Sequence, residues 1–150
     1  RDDIETIHAA TDLLAEAKLS PELRNEALYY RAKAYTKQKA DKKAVDDLRE
    51  LAKDTRNAYG AEAKYLVAQS LYDAKEYNAA EKELLNYIEQ STPHAYWLAR
   101  SFVLLSDVYA AMGKDLDARQ YLLSLQQNYQ GNDDIATMIE SRLSKLKVKN

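Results

Sequence analysis

Three short stretches, AYTKQKADKKA (34–44), SLYDAKEYNAA (70–80) and DVYAAMGKDLDA (107–118), are built alike. In each, a tyrosine-bearing apolar run breaks off and an alanine-bearing run starts within a few residues. The third shows the break best, because Gly113 is the residue type that most readily ends a helix. The small residues on either side keep a constant distance: Ala32 to Ala44, Ala68 to Ala80 and Ser106 to Ala118 are each 12 residues apart. Before the breaks, apolar residues recur at Leu28, Ala32 and Tyr35, at Val67, Ala68 and Leu71, and at Phe102, Leu105, Ser106 and Tyr109. After them come Ala44, Leu48 and Leu51, then Ala80, Leu84 and Tyr87, then Ala118, Leu122 and Leu125. Steps of three and four residues trace one face of a helix. Each unit is therefore a helix A, a tight turn and a helix B, a hairpin of about 34 residues.

The residue types have a physical reason. Where two helices cross closely, a side chain larger than Ala or Ser holds the backbones apart, so positions 32, 44, 68, 80, 106 and 118 are all small. Gly113 supplies the left-handed turn, and Lys39 and Lys75 hold the equivalent places at some local cost. Composition agrees: hydrophobic residues make up 46% and charged residues 31%, with only three Gly and two Pro, which suits helices and disfavours sandwiches or disorder. Lysine and arginine total 22 against 24 acids, so the balance offers no reason to expect nucleic acid or an anionic membrane. No run approaches the ~18 apolar residues of a membrane span, so direct membrane insertion is not expected. No segment reads as a signal peptide, although a chain opening at Arg1 leaves a removed leader or a larger parent protein open. The absence of cysteine excludes disulfides and thiolate metal sites.

These units resemble tetratricopeptide repeats, whose pattern W-x2-L-G-x2-Y, then A-x3-F, then P, is met in reduced form. Phe102, Leu105, Ser106 and Tyr109, followed by Ala118 and Leu122, match it best. Arg31 and Lys64 depart from it, standing at places that are usually apolar, and the prolines are displaced to Pro21 and Pro93. The resemblance implies an all-α, right-handed α-solenoid in a single domain. Its parts are a helix B at 3–18 from a truncated repeat, hairpins at 21–58, 60–91 and 93–130, and a capping helix at 132–147. Ser20–Pro21 and Thr92–Pro93 read as N-cap and first helical position, which starts the third A helix at 93 and runs it to about 112. Ile135, Ile139, Leu143 and Leu146 form the stripe of the last helix, where Leu143 stands at a place expected to be small. That helix therefore reads as a cap.

Little in the chain suggests catalysis. His8 and His94 lie far apart and outside any metal-ligand spacing, and neither a metal nor a cofactor is expected. The pairs Asp2–Asp3, Asp46–Asp47 and Asp133–Asp134 are adjacent, so on a helix they diverge by about 100° and cannot converge as an acid/base couple. No GxSxG, phosphate loop or Cys/His pair is present, and the reading is non-enzymatic.

Twelve tyrosines are many for 150 residues. Tyr35 and Tyr109 fall on the hairpin-packing face, and Tyr30, Tyr59, Tyr87, Tyr121 and Tyr129 read as core or inter-repeat filler. The opposite face of the three A helices holds Glu26, Tyr29, Lys33, Thr36 and Lys37; Glu62, Tyr65, Gln69, Tyr72 and Asp73; and Arg100, Val103, Asp107, Ala110 and Ala111. The resemblance implies that this face is a concave, peptide-binding groove. The expected ligand is an extended peptide with a carboxylate near Lys33 and Lys37, apolar groups over Tyr65 and Tyr72, and a basic group near Asp73 or Asp107. His94, Tyr96 and Trp97 sit on the added turn of the third A helix, as a second contact or packed against Tyr87 and Ile88. The function expected is a protein-interaction scaffold for a peptide or protein partner. The alternatives are a structural spacer, a segment self-associating through its exposed N-terminal helix, and, against the charge balance, a nucleic-acid-binding repeat. Stretches such as EAKYLVAQSLYDAKEYNAAEKELL (62–85) look like repeats of bacterial cell-envelope assembly proteins, pointing to the periplasm or outer-membrane periphery, with the cytoplasm as the alternative.

Overall fold

The computed structural model describes residues 2–90 and 92–146. Among them there are helices and no strands: α1 (Asp3–Leu14), α2 (Pro21–Lys37), α3 (Asp41–Leu51), α4 (Ala58–Asp73), α5 (Tyr77–Glu89), α6 (Ala95–Ala111), α7 (Asp115–Asn128) and α8 (Ile135–Lys145). The fold is all-α, built of helix–turn–helix hairpins with a capping helix at the C-terminal end. Contacts divide it into two compact units, residues 1–67 and 68–150, with α4 crossing the division.

The periodic break has one structural cause. Lys39, Lys75 and Gly113 all have positive φ, at 59°, 63° and 78°. At each, the next residue's N–H donates to the carbonyl five residues back: Ala40 to Tyr35 at 2.9 Å, Glu76 to Leu71 at 2.9 Å and Lys114 to Tyr109 at 2.8 Å. Inside that bond Lys39 donates to Thr36, Lys75 to Tyr72 and Gly113 to Ala110. This nested pair is the Schellman ending, which satisfies the last carbonyls of one helix while reversing the chain. The following helices α3, α5 and α7 start without a side-chain cap, since the turn has already aimed the backbone.

Several boundaries differ from those read in the sequence. α1 stops at Leu14 and not at 18, because Ala15 shares its N–H between Thr11 and Asp12 and Glu16 bonds only to Leu13, tightening the last turn. α4 begins at Ala58, two residues early: Asn57 Oδ1 accepts from the N–H groups of Tyr59 (2.8 Å) and Gly60 (3.4 Å). Gly60 is required there, since a Cβ would overlap the carbonyls of Asp54 and Leu51. The third A helix begins at Ala95, not 93, because the Thr92 hydroxyl accepts from His94 N–H (3.3 Å) and leaves His94 as N-cap. The first A helix starts as read, with Ser20 Oγ accepting from Leu23 N–H at 3.2 Å and Pro21 in the first turn. The expected ends at 91 and 147 fall on residues outside those described.

The small residues at 32, 44, 68, 80, 106 and 118 are all buried. In the first unit the core is crossed by a charge: Arg31 of α2 donates from Nε and Nη2 to the two oxygens of Asp47 in α3 (2.8 and 2.7 Å) and from Nη1 to Thr11 of α1 (3.1 Å). Asp47 is buried. The unexpected arginine thus ties three helices together. In the second unit Tyr109 donates to Glu81 of α5 (2.7 Å) and packs with Tyr121, while Ala99, Val103, Leu122 and Leu125 receive Ile135 and Ile139 of α8. Tyr30, read as core or inter-repeat filler, is half exposed at 52%, although Ala27 and Ala34 on its own side of α2 are buried.

Candidate functional site

Spacing on α2 places Tyr29 and Lys33 one turn apart on one face. Both reach one carboxylate on α4. Tyr29 Oη donates to Glu62 Oε1 at 2.9 Å and Lys33 Nζ to Oε2 at 2.8 Å, with the ammonium 5.1 Å from the centre of the Tyr29 ring. Tyr29 also packs edge-on to Tyr30 at 5.2 Å and against Tyr59 at 4.5 Å. Burial, and then the bond to Glu62, raise the ionisation of Tyr29 well above the usual phenol range. The result is an aromatic patch whose half-buried acid, Glu62, is already paired with Lys33. Glu26 and Lys37 lie exposed at either end of this face.

Tyr65 corrects the expected groove. It is buried at 6% exposure, because α4 is covered on several sides, with Ala61, Ala63, Val67 and Ala68 buried as well. A tyrosine opposite the hairpin face of such a helix has no open side.

In the second unit, Gln69 donates to Asp73 one turn on (2.9 Å), and Tyr72 stacks at a tilt on Tyr77 at 5.7 Å. Burial raises the Tyr72 phenol, with Asp107 adding to the rise and Arg142 opposing it. Asp107 is held by Arg142 of α8, from Nε at 3.0 Å and Nη2 at 3.1 Å. Arg100 lies 5.7 Å from the ring centres of both Tyr96 and Trp97 and donates to Tyr96 Oη at 2.9 Å. Tyr96 in turn donates to Asp134 at 3.0 Å, just ahead of α8. Val103 is buried beneath Ile135 and Ile139. The face of α6 expected to be open is thus covered by the cap from Tyr96 to Asp107.

The added turn is placed by the same helix. Tyr96 packs on the α6–α7–α8 cluster and bonds to Asp134. Trp97 is half-buried, edge-on to Tyr96 at 5.0 Å, and His94 serves as the helix N-cap. Sequence reasoning missed Arg142, whose only signal was a basic residue three positions after Ile139 on an amphipathic helix. It also missed the Arg31–Asp47 bond, signalled by a charge at an apolar place.

The adjacent aspartates meet different partners. Asp47 faces Arg31 while Asp46 is exposed, and Asp133 accepts from Ile135 N–H and from the Tyr129 hydroxyl as a helix-start residue. Among the described residues no group of three His, Cys, Asp or Glu could hold a metal ion, and no helix is long and apolar enough to cross a membrane. Compared with family models, with curated proteins and with solved structures, the chain matches none.

Proposed function

We propose that the chain is a non-catalytic protein-interaction scaffold of tetratricopeptide-like hairpins, binding a peptide or partner surface on the aromatic patch that α2 forms with the start of α4. The observation that carries this reading is the set Tyr29, Tyr30, Tyr59, Lys33 and Glu62. Tyrosine gives a large amphipathic contact area for the loss of few rotatable bonds, and here the rings are already held by one another and by Glu62. Lys37, one turn beyond Lys33 and exposed, supplies a cation for a ligand carboxylate. Lys33 is engaged by Glu62, so the acidic group of the ligand belongs near Lys37.

Panning a displayed peptide library against the purified chain tests this. The expected result is enrichment of peptides carrying an acidic residue beside aromatic or aliphatic ones, whose binding falls about tenfold in Lys37→Glu and in Tyr29→Ala. Lys82→Glu on α5 should leave it unchanged. Loss in Lys82→Glu with full binding in Lys37→Glu would overturn the assignment.

A spacer role is the second reading. It is favoured by the internal use of Glu62 and Asp107, which take up polar groups that a ligand would otherwise meet. A library that yields no enriched sequence supports it.

A further inference from the structure

The second unit shows how this chain docks a helix. α8 lays Ile135 and Ile139 on small and aliphatic side chains of α6 and α7, and Arg142 closes on Asp107 beside them. The docked sequence is thus an apolar residue at i and i+4 with a cation at i+7, received by an apolar trough flanked by an acid.

The first unit carries a trough of the same kind. Between α1 and α2 lies a groove of about 430 Å³, lined by Thr6, Ala9, Ala10 and Leu13 on one side and Ala27 and Tyr30 on the other, with Glu26 on its edge. Leu23, one turn before Ala27, extends the apolar side and is 46% exposed. The charges around it are one-sided. Glu26 lines it, and helix spacing puts Glu22 one turn before Glu26 and Glu5 and Asp12 one turn to either side of Ala9; all four are exposed and form no ion pair among the described residues. The neighbouring cations of α2 are taken: Arg24 by Glu50, Arg31 by Asp47 and Lys33 by Glu62.

We propose that the α1–α2 groove is a docking seat for an amphipathic helix of a partner protein, one whose apolar stripe is flanked by lysine or arginine. The inference rests on the interaction-scaffold reading and adds a second surface, which adjoins the Lys37 face at Glu26 and Tyr30 and has its own ligand class. Small alanines on both walls let a helix backbone approach closely, and the acidic edge selects the basic flank, as Asp107 selects Arg142. A helix with acidic flanks would bring like charges together on the edge and be rejected.

The test uses the full 150-residue chain and two synthetic helical peptides labelled with a fluorophore. Both carry leucine at i and i+4; one has lysine at i+3 and i+7, the other glutamate at those places. Fluorescence anisotropy should show the lysine peptide binding about tenfold or more tightly, with the difference shrinking as salt is raised. Ala9→Arg, at an exposed position, should cut that binding about tenfold with an unchanged circular-dichroism spectrum and melting temperature. Glu26→Lys should reverse the preference between the two peptides. Equal binding of the two peptides, or full binding in Ala9→Arg, overturns the proposal. So does a chain that sediments as a dimer and becomes monomeric in Ala9→Arg, since the seat is then filled by a second copy. Because the library-selected peptides depend on Lys37 and not on Ala9, their behaviour in Ala9→Arg separates failure of this seat from failure of the scaffold reading.

Discussion

Arg31 marks where a single residue departs from the pattern of its neighbours and changes the energetics of a unit. Its two bonds to Asp47 and one to Thr11 leave the buried carboxylate fully matched. Asp47→Ala should destabilise the chain by about 3 kcal/mol in urea unfolding, because it leaves the partly buried Arg31 guanidinium without its carboxylate. The joint replacement Arg31→Met with Asp47→Leu should cost much less, since it removes both charges together. The tyrosines give a second residue-scale outcome. Tyr29 and Tyr109 donate to Glu62 and Glu81, and burial followed by those bonds raises both phenols above the ordinary value of 10.0. Below that value both folded and unfolded chains keep the proton, and the stabilisation is present in full. Above it the unfolded chain ionises first, so stability falls as pH rises from about 10 towards the raised folded values. Urea midpoints at pH 8 and near pH 11 should show this fall, and Tyr109→Phe should make it smaller. Arg31 was legible as an anomaly in the sequence. Its partner was not, because Asp47 reads as one of two adjacent surface acids until α3 is placed against α2.

The helices and their turns were the most legible elements, because a Schellman turn and a close helix crossing are both decided within a few residues. Lys39 and Lys75 adopt the left-handed conformation that Gly113 adopts without strain. Lys39→Gly or Lys75→Gly should therefore raise the melting temperature, by up to about 1 kcal/mol of stability each, and Gly113→Ala should lower it. The crossings are tight in the same sense. Ala80 and Ala118 are fully buried, so Ala80→Leu or Ala118→Leu should cost roughly 1–3 kcal/mol, while Ala58→Leu, exposed in the first turn of α4, should cost little. Equal melting temperatures for the three leucine variants would remove the close-crossing account. The starts of α4 and α6 were misplaced by two residues because two side-chain caps compete within a short span. Asn57 outcompetes later starts, and the Thr92 hydroxyl spends itself on His94.

At the scale of the whole molecule, α8 decides what the second unit can offer. Removing residues 132–150 would uncover Val103, Leu122 and Leu125 and free Asp107, so the truncated chain should aggregate or unfold at lower temperature, as size-exclusion chromatography and thermal melts would show. A monomeric truncation of equal stability would mean that α8 is not needed as a cap. The sequence by itself determined the all-α class, the hairpin periodicity, the small residues at the crossings and the presence of a cap. All of these follow from spacing along one helix or across one turn. Only the tertiary structure decided that Tyr65 is buried, that Tyr30 is exposed, that Glu62 and Asp107 are taken by Lys33 and Arg142, and that Tyr96 turns to α8. Those outcomes depend on which long side chain reaches across a gap between helices distant in sequence, and periodicity carries no information about the width of that gap.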